Sequence, residues 1–141
     1  MPSVQVLNRQ RKKSLNMQEW RSFAISALNA VLNLPRDESL PAEITIVFVT
    51  DSRIAEIHRN FMAIDSATDV ITFQHGEIFI SVETAERQAN ELGNTFDYEL
   101  RLYLVHGLLH LAGYDDLTKS GFREMTQLQE SLVCQLEQAL G

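Results

Sequence analysis

Apolar and polar positions alternate over Val4-Gln5-Val6-Leu7, a period of two that predicts a short strand. The period then changes. Asn16, with Glu19 three residues on, is a helix-start signature. Trp20, Phe23, Ile25, Ala27, Leu28, Val31 and Leu32 supply a broad apolar face for the helix that follows. Pro35 and Pro41 punctuate its exit. Ile44-Thr45-Ile46-Val47-Phe48-Val49 is β-branched and apolar, which predicts a second strand. Asp51 or Ser52 is placed to cap a short helix carrying Ile54, Ile57 and Phe61, and Met62 to Thr68 reads as a loop.

Val70–Phe73 and Glu77–Ser81 read as two short strands, and Gln74-His75-Gly76 suits a hairpin between them. Glu83–Leu92 is helical in pattern, with Gly93 as its stop. A further helix is expected from Phe96 or Asp97 to about Leu111. A last one runs from about Gly121 to Leu140, with Phe122, Met125, Leu128, Leu132 and Leu136 on one face. Strands and helices mix without strict βαβα alternation. The expected class is α+β, a small mixed sheet of about four strands packed with about five helices.

The chemistry concentrates in His106-Gly107-Leu108-Leu109-His110-Leu111-Ala112-Gly113-Tyr114-Asp115-Asp116, which holds two of the chain's four histidines. Histidines four apart on a helix aim their imidazoles the same way. Gly113 can end that helix and let the chain fold back, delivering Asp115 or Asp116 as a third ligand. Three such ligands with a fourth position open describe a catalytic zinc-type site. Many zinc peptidases carry a glutamate base directly after the first histidine. Gly107 stands there in this chain, which argues against that chemistry.

Composition narrows the setting. The 141 residues suit one domain spanning 1–141. The single cysteine, Cys134, excludes an internal disulfide; it is expected to be an inert, partly buried thiol in a reducing compartment. No apolar run approaches the roughly 20 residues of a membrane span, and no apolar signal segment opens the chain, so a cytoplasmic protein with no membrane partner is expected. The net charge of −7 is uneven: residues 1–21 hold five basic residues and one acid, a net of +4, leaving −11 on the rest. An acidic chain is no obvious nucleic-acid binder. Arg9, Arg11, Lys12 and Lys13 are therefore either a solvated loop or a local docking patch.

The segment His-Gly-Leu-Leu-His-Leu-Ala-Gly-Tyr-Asp resembles the signature of the YbeY family of single-strand endoribonucleases. Thr68-Asp69-Val70-Ile71-Thr72-Phe73 resembles that family's Thr-Asp-Val-Leu-Ser-Phe, and Gly76-Glu77-Ile78-Phe79-Ile80-Ser81 its Gly-Asp-Ile-x-Ile-Ser. Order and spacing match, and the resemblance covers about residues 43–135. It implies a mixed α+β fold, one bound zinc, maturation of the small-subunit rRNA 3′ end and ribosome quality control. The expected partners are single-stranded RNA or rRNA and the ribosome or its small subunit, with no DNA. The resemblance places the third metal ligand at Asp116, where the family usually has histidine. A phosphate-contacting arginine usual in the family falls at Met62, with Arg59 three residues earlier.

The resulting expectation is a metal-dependent endoribonuclease. His106, His110 and Asp116 would be its metal ligands and act through a metal-bound water. The competing expectation is a ribosome-associated assembly factor with a structural metal, which Met62 favours. Among the remaining candidates, Asp115 is either a support for a ligand histidine or a turn residue. Asp69 either orients water or caps backbone. His58 and His75 are expected at the surface, and Tyr114 packs the helix end.

Overall fold

The computed structural model describes residues 2–35, 40–62 (the last of these by its backbone alone) and 69–140. In chain order these form β1 (Ser3–Asn8), α1 (Met17–Leu32), β2 (Glu43–Val49), α2 (Asp51–Met62), β3 (Val70–Phe73), β4 (Glu77–Ser81), α3 (Val82–Leu92), α4 (Phe96–Ala112) and α5 (Lys119–Leu140). The class is α+β, as the mixed pattern predicts. The sheet order is β1-β2-β4-β3. β1, β2 and β4 run parallel, and β3 pairs antiparallel with β4 at one edge. Leu7, Val47, Phe79 and Ile71 lie on one row across all four strands.

Alternation along the strands divides the core. Val6, Ile44, Ile46, Phe48, Ile78 and Ile80 face the main cluster, which takes Trp20, Phe23 and Val31 from α1 and Leu100, Leu104, Leu108 and Leu111 from α4. Val47, Val49 and Ile71 face the other way, onto Ile54 and Ile57 of α2. Cover on both faces is why β2 reads as an almost continuous apolar run.

Asn16 caps α1, accepting from the Glu19 amide at 3.3 Å. Ile25, expected on the apolar face, is 53% exposed. The stripe that meets the core is Trp20, Phe23, Ala24, Ala27, Leu28 and Val31, and Ile25 falls outside its helical arc. Cys134 is exposed, not partly buried, because its neighbours Leu132 and Val133 take the inward positions of α5. The α5 start precedes Gly121: Thr118 caps it, its hydroxyl accepting from the Gly121 amide at 2.9 Å. The hairpin turns at Gly76, where φ is 126° and an added Cβ would lie 2.3 Å from the Glu43 carbonyl oxygen. The expected loop 62–68 falls, apart from the Met62 backbone at the end of α2, outside the described residues. Among the described residues no helix is long and apolar enough to cross a membrane.

The cap of α2 is Thr50, whose hydroxyl accepts from the Arg53 amide at 3.2 Å, and not Asp51 or Ser52. Asp51 is engaged elsewhere. Its carboxylate accepts from Ser81 Oγ at 2.6 Å, Thr84 Oγ1 at 2.7 Å and Arg87 Nη1 at 2.5 Å, joining the start of α2 to the start of α3. Partial burial opposes the charge, but the bonds from Arg87, Ser81 and Thr84 outweigh it and hold the carboxyl below its ordinary 3.8. A folded value below the unfolded one gives stability that is present above about pH 4 and lost as pH falls through the folded value. Asp51→Asn is expected to cost about 1–2 kcal/mol at pH 7. Urea midpoints should show the gap between parent and variant narrowing at pH 3; an equal gap at both pH values contradicts this account.

Candidate metal centre

α4 is held at both ends. Thr95 caps its start, accepting from the Tyr98 amide at 3.1 Å. At the far end Gly113 takes φ 114°, its amide donates to His110 O at 3.1 Å, and the Tyr114 amide donates to Leu109 O at 3.0 Å. This paired closure needs a left-handed residue, which glycine adopts without a Cβ penalty. Tyr114, 4% exposed, seals the helix end as expected. The chain then reverses. Asp115 Oδ1 accepts from the Leu117 amide at 3.1 Å, so of its two readings the structure shows the turn residue.

The reversal brings Asp116 to His106 and His110, and one candidate ligand atom from each lies within 4.8 Å of the others. The two imidazoles meet edge to face, with centroids 4.6 Å apart and their Nε2 atoms 3.1 Å apart. Two nitrogens on one tetrahedral zinc, each bonded at about 2.0–2.1 Å, lie about 3.3 Å from one another. Nitrogen atoms this close need a proton or a cation between them. Burial, reinforced by His106, holds the His110 imidazole below its ordinary 6.5, against the opposite pull of Asp116, Asp115 and Asp69. The neutral form is the ligand form. The donor set fits a divalent ion.

Gln129 of α5 completes the arrangement. Its Oε1 lies 2.8 Å from His106 Nδ1, an oxygen that can only accept. The proton therefore sits on Nδ1 and the Nε2 lone pair faces His110. The motif alone did not reveal Gln129. The available signal was a polar residue four places from Met125 on the inward side of α5.

His106 borders two cavities. One of about 540 Å³ lies among α3, α4 and α5 and includes Asp69, Glu99, Tyr103, Asp116 and Gln129. A smaller one of about 170 Å³ is lined by His58, Thr72, Gln74, His106 and His110, with Val70 and Ile71. His58 is thus partly buried at the centre, not simply a surface residue, yet it stands outside the three-ligand group. His75 is exposed, stacks on Phe73 and pairs with Glu77 at 2.7 Å. Asp69 caps backbone, accepting from the Val70 amide at 2.8 Å, and also lines the larger cavity. Arg59 is exposed and lines neither cavity. The Met62 side chain and Thr68 lie outside the described residues.

Gly107 has a packing reason. A Cβ there would lie 2.6 Å from Ile78 Cγ2, so α4 rests directly on β4 beside the first histidine.

The chain matches the family model described as Endoribonuclease YbeY over residues 5–137. Curated relatives carry that same description. One from Nautilia profundicola is 38% identical over 81% of this chain and 84% of the relative. One from Aquifex aeolicus is 32% identical over 95% and 91%. A solution structure from Thermotoga maritima superposes with a TM-score of 0.69 at 26% identity, covering 95% of this chain and 89% of that one.

Gln129→Leu should weaken divalent-metal affinity about 10–100-fold by freeing His106 to rotate. Competition with a chromophoric chelator measures it, and unchanged affinity would refute the orienting role. Gly107→Ala gains up to about 1 kcal/mol of helix propensity but overpacks the Ile78 contact at a cost of about 1–3 kcal/mol. Its melting temperature is expected to fall, and Ile78→Ala in the same chain should recover part of the loss relative to Ile78→Ala alone.

Proposed function

This chain belongs to the YbeY family of endoribonucleases, and from that premise we propose that it is a metal-dependent hydrolase of single-stranded RNA acting in rRNA processing. The finer assignment is small-subunit 3′-end maturation and ribosome quality control in the cytoplasm, with the whole of residues 1–141 as one catalytic domain. His106, His110 and Asp116 would hold one divalent ion. Zinc is the assignment, because two imidazole nitrogens and a carboxylate oxygen are zinc donors.

The observation that carries this reading is the convergence of those three ligand atoms within 4.8 Å beside the larger cavity. A divalent ion supplies Lewis-acid polarisation of a phosphoryl oxygen and lowers the pKa of water. The chain's own residues prepare for it. Gln129 keeps the His106 proton on Nδ1, away from the substrate side. Gly107 places no carboxylate beside the site. Asp116 is exposed and makes the ligand set one unit less positive than three imidazoles, which weakens attraction for a phosphodiester.

Purified chain is expected to cleave a single-stranded rRNA fragment and to stop when a chelator is added. His106→Ala, His110→Ala and Asp116→Ala should each cut the rate by about 100-fold or more, and together by little beyond that, since ligands of one site act as a unit. Asp116→His restores a neutral third donor and should lower the KM for RNA. Full cleavage and full metal content in His110→Ala would overturn the assignment; RNA binding without chelator-sensitive cleavage would favour the assembly-factor role.

A further inference from the structure

We propose that the turn from Asn8 to Lys13 is a phosphate-binding surface that holds the substrate RNA strand at a distance from the metal centre. The inference rests on the RNA-directed reading above and adds a second contact to it.

The turn is built, not loose. Gln10 is 9% exposed and acts as an internal brace. Its Nε2 donates to Asn8 Oδ1 at 2.7 Å and to Lys13 O at 2.9 Å, and its Oε1 accepts from the Lys13 amide at 2.8 Å. The Arg9 amide donates to Phe48 O at 2.9 Å, which ties the turn to β2. Lys13 is consumed internally: it pairs with Glu86 at 3.2 Å and lies 4.7 Å over the Phe96 ring.

The other three cations are left outward. Arg9, Arg11 and Lys12 are exposed and have no acidic partner among the described residues. Arg53, Arg87 and Arg101 each have one, in Glu56, Asp51 and Glu137. Three like charges on one braced turn repel each other unless an anion covers them. They line a concavity of about 690 Å³ with Asn8, Gln10 and Thr50. Several exposed cations along a turn suit repeated phosphates, since a site for one small anion would close around it. In a chain of net charge −7, this is where a polyanion is attracted.

Sheet register sets its relation to the metal centre. Leu7, next to the turn, shares a row with Ile71, which lines the smaller cavity at the opposite edge. Three strand spacings of roughly 4.8 Å separate them, about 14 Å. A strand touching both sites must span that width.

The test is binding of a labelled single-stranded RNA, longer than the roughly 4–16 nucleotides one groove covers, across a KCl series with chelator present to prevent cleavage. The parent chain is compared with the combined variant Arg9→Gln, Arg11→Gln, Lys12→Gln, and with a charge-matched control, Arg21→Gln, Arg53→Gln, Arg123→Gln. Each phosphate contact on a single strand contributes about 0.7 to the slope of log K against log salt. The turn variant should lose about 2 from that slope and bind at least tenfold more weakly at low salt, while the control keeps the parent slope. An unchanged slope in the turn variant, or an equal loss in the control, overturns the proposal. A parent chain without salt-dependent binding also overturns it. Failure of the nuclease reading shows separately, as cleavage that survives His106→Ala.

Discussion

The burial of α4 is the constraint from which the rest follows. Eleven of its residues are buried, so the helix has almost no free face and its depth and rotation are fixed by packing. Gly107 sets the closest approach to the sheet at Ile78. With the backbone pinned there, the polar side chains His106 and His110 are carried to a margin of the helix that meets two cavities. A helix free to roll or lift by an ångström would not keep its imidazoles in register with Asp116 and Gln129, which come from other segments.

The remaining site groups are set by what docks against that helix. The closure at Gly113 turns the chain so that Asp116 returns to the histidines, and the same turn launches α5, which brings Gln129 to His106. A hydrogen bond to the distal ring nitrogen fixes both tautomer and ring angle, two quantities that a ligand motif leaves undefined. α5 thus has a double role, covering the core through Met125, Leu132 and Val133 and orienting the His106 imidazole.

Charge is distributed unevenly along the same architecture. The candidate metal group includes an exposed carboxylate, while cations with no acidic partner among the described residues gather at the far edge of the sheet beyond β1. Two other cations are drawn into ion pairs that join elements, Arg101 with Glu137 between α4 and α5 and Arg87 with Asp51 between α3 and α2. The surface is acidic in sum, but its electrostatics are decided by which charges are neutralised locally.

Much of this was legible in the chain alone, where the information is local. Strand alternation, the Asn16 cap, the glycine stops at Gly93 and Gly113, and the spacing of His106 and His110 each depend on a few neighbouring residues, so element identity and the two candidate histidine ligands could be read directly. The choice of Asp116 over Asp115 needed the family resemblance, because both residues sit in the same turn. The structure binds Asp115 to the Leu117 amide and brings Asp116 into the candidate group with the histidines. The cap of α2 was misplaced for a related reason: Asp51 is a good local cap, but Ser81, Thr84 and Arg87, thirty residues and more away, claim its carboxylate. The strand order, the reach of Gln129 to His106, the turning of His58 toward the centre and the bracing of the basic turn by Gln10 were decided by tertiary structure. Each joins segments through packing or turn geometry that hydrophobic period does not encode.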